Sequence, residues 1–311
     1  MVPDQPIRIA IAGLGDIARK VYLPLLSQLR RVEIAGVLSS SPATVERTVQ
    51  QYRLPRGTVS LEEMLDWEID AVFIHSPTPV HYDMVMKCLE RGKAVYVDKP
   101  LSYRLEESAE MAQSAEEKGL LLAVGFNRRF APLYLQAREW VEQAGRPGFL
   151  TAYKHRTGLQ PLTARETVHD DLIHMLDLLL WLGGDEAALE GARLLRDGEG
   201  RLLRVSGSLE WQGALGQFGM ARDSGADAER LELHGEGRSA IVQDMEQAIL
   251  QEKSRPARTL GCGSWDTLLD RRGFSGAVAH FLDHIGQPSG CSIGAGRVLT
   301  AHKLADRLSR G

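Results

Sequence analysis

Cysteine is scarce. Cys88, Cys262 and Cys291 are the only three in 311 residues. They are odd in number, far apart and without C-x-x-C or Cys/His spacing, which excludes a disulfide framework and a zinc site and leaves reduced thiols as the expectation. No metal is predicted. Excess charge of either sign is also missing: 37 Lys and Arg stand against 41 Asp and Glu, a net charge of −4. Such a balance gives no general attraction to a phosphate backbone or an acidic membrane, so neither nucleic acid nor a membrane is an expected partner. No apolar run reaches the length of a membrane span. The opening Met1 to Pro6 lacks the basic segment of a secretory leader, so a cytoplasmic location is expected. Internal repeats and low-complexity tracts are absent too.

What remains is an ordinary globular composition, 43% hydrophobic and 25% charged, in a chain long enough for two cores. β-Branched or apolar runs at Ile7–Ala12, Val32–Leu38, Ala71–Ile74, Ala94–Val97 and Leu120–Val124 alternate with helical patterns at Arg19–Leu29, Ala43–Tyr52, His81–Glu90 and Glu106–Lys118. Strand and helix in strict alternation imply a doubly wound parallel sheet. After Gly125 the pattern changes. Helices are predicted over Pro132–Gln143 and Asp170–Leu182, and strands over Phe149–Arg156, Leu202–Trp211, Ala214–Ala221 and Arg230–His234, with Gly-containing connections that suggest a mainly antiparallel sheet. Arg222–Ala228 and Lys253–Gly263 read as surface loops, and Gly296–Leu308 as a helix able to pack back on the first domain. The predicted fold class is therefore α/β, with a domain of residues 1–124 and a second α/β domain of residues 125–311.

The sequence Gly13-Leu14-Gly15-Asp16-Ile17-Ala18 follows the first strand and opens a helix, the context that makes G-x-G-x-x-A a dinucleotide fingerprint. Gly13 permits the turn, Gly15 lets backbone approach a pyrophosphate, and Ala18 allows close helix-to-strand packing; Asp16 and Ile17 complete the turn at the anion-binding helix end. The second strand ends in Leu38-Ser39-Ser40-Ser41, where an NAD site usually carries Asp or Glu. With no carboxylate to repel a 2′-phosphate, Ser39 and Ser40 favour NADP over NAD, and Arg47 is a more distant candidate partner. NADP or NAD is the expected cofactor.

Several further landmarks follow in order: Ser76-Pro77-Thr78 with His81, Val97-Asp98-Lys99-Pro100, Gly125-Phe126-Asn127-Arg128-Arg129-Phe130, and Asp170-x-x-x-His174-x-x-Asp177 before Trp181-Leu182-Gly183. Together with the fingerprint they resemble the Gfo/Idh/MocA family of oxidoreductases, and its virulence-factor-like branch in particular. Asp98 departs from that family's Glu-Lys-Pro motif. The resemblance implies a Rossmann domain, a second domain with a large open sheet through which many members form dimers or tetramers, and cofactor contacts from Ser76, Pro77, Thr78, His81, Lys99, Pro100 and Arg129. His81 reads equally as a packing residue at its helix start, and Arg128 and Arg129, candidates to contact an anionic substrate or the cofactor, are at a domain junction more often surface salt-bridge residues. His75, His155 and His169 are further candidates to face a cleft.

The chemistry expected of these residues is hydride transfer to or from a sugar, polyol or related hydroxy compound. On a helix Asp170, His174 and Asp177 share one face. His174 is then the candidate general base, its imidazole titrating near neutrality, and Asp170 orients the substrate hydroxyl or the ring. Lys99, at the carboxyl end of a parallel strand, is placed to stabilise a developing alkoxide. A dinucleotide-binding sensor without turnover and a glycosidase that reuses tightly bound NAD are the alternatives. Lys99 and His174 together argue against the sensor.

Overall fold

The computed structural model describes residues 5–310. It divides into two compact units, one running to Gly125 and taking in Val278–Leu299, the other comprising Phe126–Ala277 and the stretch from Thr300 onward.

The first unit is built on a six-stranded sheet of β1 (Ile7–Ala12), β2 (Val32–Leu38), β3 (Gly57–Thr58), β4 (Ala71–Ile74), β5 (Ala94–Val97) and β6 (Leu122–Val124), in the order β3-β2-β1-β4-β5-β6. Every pairing is parallel. β4, β5 and β6 are buried along their whole length, as strands covered on both faces must be. This is the doubly wound sheet expected from the alternation, and the strand order reverses between β1 and β4, where such folds bind their ligands. The first helical segment differs from a regular helix over Arg19–Leu29. A π-helical turn at Ala18–Tyr22 precedes a short α-helix at Leu23–Leu26. Pro24 explains the widening, because it has no N–H to return to the Lys20 carbonyl.

The second unit carries an eight-stranded sheet of β7 (Phe149–His155), β8 (Ala188–Arg196), β9 (Leu202–Trp211), β10 (Ala214–Ala221), β11 (Ala228–Gly235), β12 (Arg238–Gln243), β13 (Gln247–Glu252) and β14 (Arg258–Gly261), ordered β14-β13-β12-β11-β7-β10-β9-β8. All pairs are antiparallel except β7 with β10. One face takes the helices Pro132–Glu142 and Ile173–Gly183. The other is open, as β13 shows: Ala248 and Leu250 are buried while Gln247, Ile249 and Gln251 are exposed. β14 falls inside the segment expected to be loop. It is an exposed edge strand, so burial left no pattern in its sequence. β12 and β13 join through Asp244 and Met245, both at positive φ, an uncommon use of methionine that hides the hairpin from a search for Asn-Gly or Asp-Gly. No helix among the described residues is long and apolar enough to cross a membrane.

Candidate functional site

In the first unit the fingerprint turn leaves β1 and packs directly against the end of β4. Gly13 sits at φ +89°, and a Cβ there would lie 2.3 Å from the Ser76 nitrogen, so only glycine fits. A Cβ on Gly15 meets nothing within 4 Å. That open space is what a pyrophosphate needs beside a helix start, and Ala18 is fully buried against the sheet. The residues present therefore fit a dinucleotide. Asp16 turns its carboxylate outward to Arg19 (2.6 Å) and Lys20 (2.8 Å), with Lys20 the main cause of a pKa below the usual carboxylate range. Ile17 is exposed at the mouth of the turn. At the end of β2, the Ser39 Oγ accepts from the Ser41 nitrogen (3.4 Å), Ser41 caps the helix Pro42–Tyr52 and Ser40 is exposed. Arg47 turns to Thr44 on its own helix.

Ser76, Pro77 and Thr78 follow β4, and Lys99 with Pro100 follows β5, joined by a cis peptide bond. His81 ties the two strand ends together. Its Nδ1 lies 2.9 Å from the Pro100 carbonyl and its Nε2 2.9 Å from the Ser76 carbonyl. Burial lowers its pKa, while the two carbonyls work in the other direction. The reading of His81 as a packing residue thus has its partners in the structure. Asp98 is held similarly: His75 Nδ1 is 2.9 Å from its carboxylate, and the Tyr22 hydroxyl donates to it at 3.2 Å while stacking on His75 at 3.8 Å. Burial pushes the Asp98 carboxyl upward, but His75 and then Lys99 outweigh it, and it stays below the usual range. His75 is buried, and its Nε2 finds no hydrogen-bond partner. Lys99 is half-buried.

In the second unit the predicted helix begins earlier and is irregular. Ala164–Thr167 leads into a π-helical turn, Val168–Leu172, before the α-helix Ile173–Gly183. The Arg165 carbonyl accepts from His169 Nδ1 (2.9 Å), so a side chain enters the backbone ladder where the helix widens. The widening alters the simple i, i+4, i+7 alignment. His174 is buried with its ring edge-on to Phe126, and Asp170 is half-buried. Asp177 is instead clamped by Arg129 in a fork of 2.9 and 2.6 Å, both side chains buried. Burial outweighs the arginine and raises the Asp177 pKa. Arg129, expected on the cofactor or at the surface, therefore has its charge met inside the second unit. Arg128 is likewise buried, in a fork with Glu229. His155 accepts from the Ala221 nitrogen (3.2 Å), between β7 and β10.

The sequence reading missed a buried charged cluster. Lys154 and Glu229 are cross-strand neighbours on β7 and β11, and Lys154, Arg222 and Asp171 close around each other. The signal was present: Lys154 is in phase with buried Leu150 and Ala152, and Glu229 with Leu231 and Leu233. Charged residues at core positions of a strand are costly and mark a built feature. Arg222 also corrects the expectation of a surface loop there, since it is buried. Among the described residues no group of three or more His, Cys, Asp and Glu could hold a metal ion.

Residues 7–126 match the oxidoreductase family with an NAD-binding Rossmann fold, Gfo/Idh/MocA, and residues 132–253 match the YceM-like C-terminal domain. The chain is 33% identical over 307 residues to YceM of Salmonella typhimurium, covering 98% of both. It is 30% identical over 192 residues to the NAD-dependent scyllo-inositol 2-dehydrogenase of Bacillus subtilis, covering 59% of this chain and 56% of that one. Among solved structures, a Clostridium difficile dehydrogenase, MviM, superposes with a TM-score of 0.91 at 29% identity, over 97% of this chain and 98% of that one. The chain belongs to the Gfo/Idh/MocA family of NAD(P)-dependent Rossmann-fold oxidoreductases and is related to its YceM/MviM branch.

Proposed function

We propose that this oxidoreductase transfers hydride to or from a secondary alcohol of a sugar, polyol or related hydroxy compound, with Lys99, Asp170 and His174 handling the substrate oxygen and its proton. The carrying observation is the open Gly15 turn after β1 together with Lys99 at the end of β5, two strands away in the same parallel sheet, in a chain similar to an inositol dehydrogenase. The first unit then holds the nucleotide and the second serves the substrate. When bound, the nicotinamide supplies or accepts the hydride.

Lys99 contributes a cation that hydrogen-bonds the substrate oxygen and stabilises it as negative charge develops. His174 removes or returns the hydroxyl proton, and Asp170 orients the group being deprotonated. Ser76, Pro77, Thr78 and Pro100 shape the nucleotide side, kept in register by the His81 bridge. Ser39 and Ser40 make the ribose end tolerant of a 2′-phosphate, which favours NADP.

The test is a screen of sugars, polyols and hydroxy acids with NAD and NADP, followed by Lys99→Ala and His174→Ala. Loss of a general base costs about 10²- to 10⁴-fold, so kcat should fall by that order while cofactor affinity is largely kept. Equal turnover by wild type and both variants refutes the assignment. Tight cofactor binding with no turnover of any substrate points to a sensor, and tightly held nicotinamide without net absorbance change at 340 nm points to a redox-assisted glycosidase.

A further inference from the structure

The charged cluster of the second unit is short of negative charge. Four cations, Arg128, Lys154, Arg156 and Arg222, share the carboxylates of Asp171 and Glu229. Arg128 takes both oxygens of Glu229, while Lys154 and Arg222 close on Asp171. Arg156 hydrogen-bonds neither acid: its Nε is 3.8 Å from Asp171 and its Nη2 3.6 Å from Glu229, each beyond hydrogen-bond distance. Its Nη1 donates to the His155 carbonyl at 2.9 Å.

The nearby acids do not repair the deficit. Asp227 lies in the field of Arg156 and Arg222 but is exposed and engaged by Thr157, and Asp244 accepts from the Glu229 nitrogen. The effect is visible on Lys154, whose pKa falls to about 7 through burial and then Arg128, the two carboxylates failing to restore it. A closed structural ion-pair network satisfies its buried charges. This one has an incompletely bonded guanidinium with 22% of its side chain exposed, bordered by exposed Thr157 and Gly158. A planar fork of that kind suits a carboxylate or phosphate. Asp171, which the cluster grips, is the residue next to Asp170.

We propose that Arg156, backed by Lys154 and Arg222, is an oxyanion subsite beside Asp170, and that the substrate is a hydroxy compound bearing a carboxylate or a phosphate, such as a sugar acid or sugar phosphate. The inference rests on the proposed dehydrogenase function for the word substrate, but the subsite is testable by binding alone.

Calorimetry on the full chain should show D-glucuronate or inorganic phosphate binding more tightly than neutral D-glucose, with net proton uptake above pH 7 as the anion returns Lys154 to its charged form. Tighter binding of glucuronate assigns a carboxylate substrate, and tighter binding of phosphate and glucose 6-phosphate a phosphorylated one. Arg156→Gln should weaken that binding about 10- to 100-fold, and Arg156→Lys, which keeps the charge without the fork, should fall between. Binding of both anions no tighter than glucose, or unchanged in a folded Arg156→Gln variant, overturns the subsite. Turnover of a neutral polyol that depends on Lys99 and His174 would then leave the dehydrogenase reading standing.

Discussion

The two fingerprint glycines should fail in opposite ways when substituted. Gly13 holds φ +89° with its missing Cβ 2.3 Å from the Ser76 nitrogen and 2.5 Å from the His75 carbonyl carbon. Gly13→Ala must adopt a left-handed backbone, at about 1–2 kcal/mol, and push against main chain that cannot rotate away, at about 1–3 kcal/mol more. It should visibly lower the unfolding midpoint of the apo protein. Gly15 has neither problem, since its φ is ordinary and nothing lies within 4 Å of the added carbon. Gly15→Val should therefore leave apo stability within about 1 kcal/mol of wild type. Its side chain would instead fill the space offered to the pyrophosphate. Charge-assisted hydrogen bonds contribute about 1.5–3 kcal/mol each, so losing two weakens cofactor binding at least about 100-fold. Thermal unfolding without cofactor and calorimetric titration with NAD and NADP separate the two effects. Unchanged affinity for both cofactors in Gly15→Val would refute the reading of this turn as the pyrophosphate cradle.

Ser39→Asp should shift preference toward NAD, because a carboxylate accepts from the ribose 2′-OH and repels a 2′-phosphate; a wild type already strongly selective for NAD contradicts this argument. Glu229→Gln should destabilise the protein by about 3–5 kcal/mol, since it strips a buried partner from Arg128 and leaves Lys154 and Arg156 less compensated. The carboxyls of Glu229 and Asp171 lie below their ordinary values, with burial opposing and their cationic neighbours prevailing. Their stabilisation is therefore complete above the unfolded carboxyl range near pH 4 to 4.5 and is lost as pH falls through the depressed folded values, which acid titration of the unfolding midpoint checks. Thiol titration should find Cys262 reacting before Cys88 and Cys291. Both of the latter are buried, and burial pushes the Cys88 thiol up to about 12; early labelling of Cys88 in the native protein would contradict the packing of its helix.

Legibility in the sequence followed burial. β4 and β5 are buried throughout and read as unbroken apolar runs, β1 and β2 are interrupted only near their starts by Arg8 and Glu33, and the alternation of these strands with helices was enough to specify the doubly wound sheet. β8 is an edge strand with bulges and scarcely a buried residue, and β14 is another exposed edge, so neither left a period to read. Helix spacing served well until side chains entered the ladder. Asp170 and Asp171 are adjacent and lie in the π turn at Val168–Leu172, where His169 meets the Arg165 carbonyl. No rule of regular spacing separates them.

The candidate site divides along the same line. Positions defined by a turn and its flanking strand, such as Gly13, Ala18 and Lys99, are local patterns and were read directly. Other groups of the two units are paired across long stretches of chain: His75 with Asp98 and His81 with Pro100 in the first, Arg129 with Asp177 and Arg128 with Glu229 in the second. Such pairs leave only half a signal at each end, a charged or polar residue in phase with buried ones. Lys154 shows how to use that half. Its place on the core face of β7 calls for counter-charge, and two carboxylates for four cations leave a deficit that is met in part by the lowered pKa of Lys154 and that the proposed anion would relieve further.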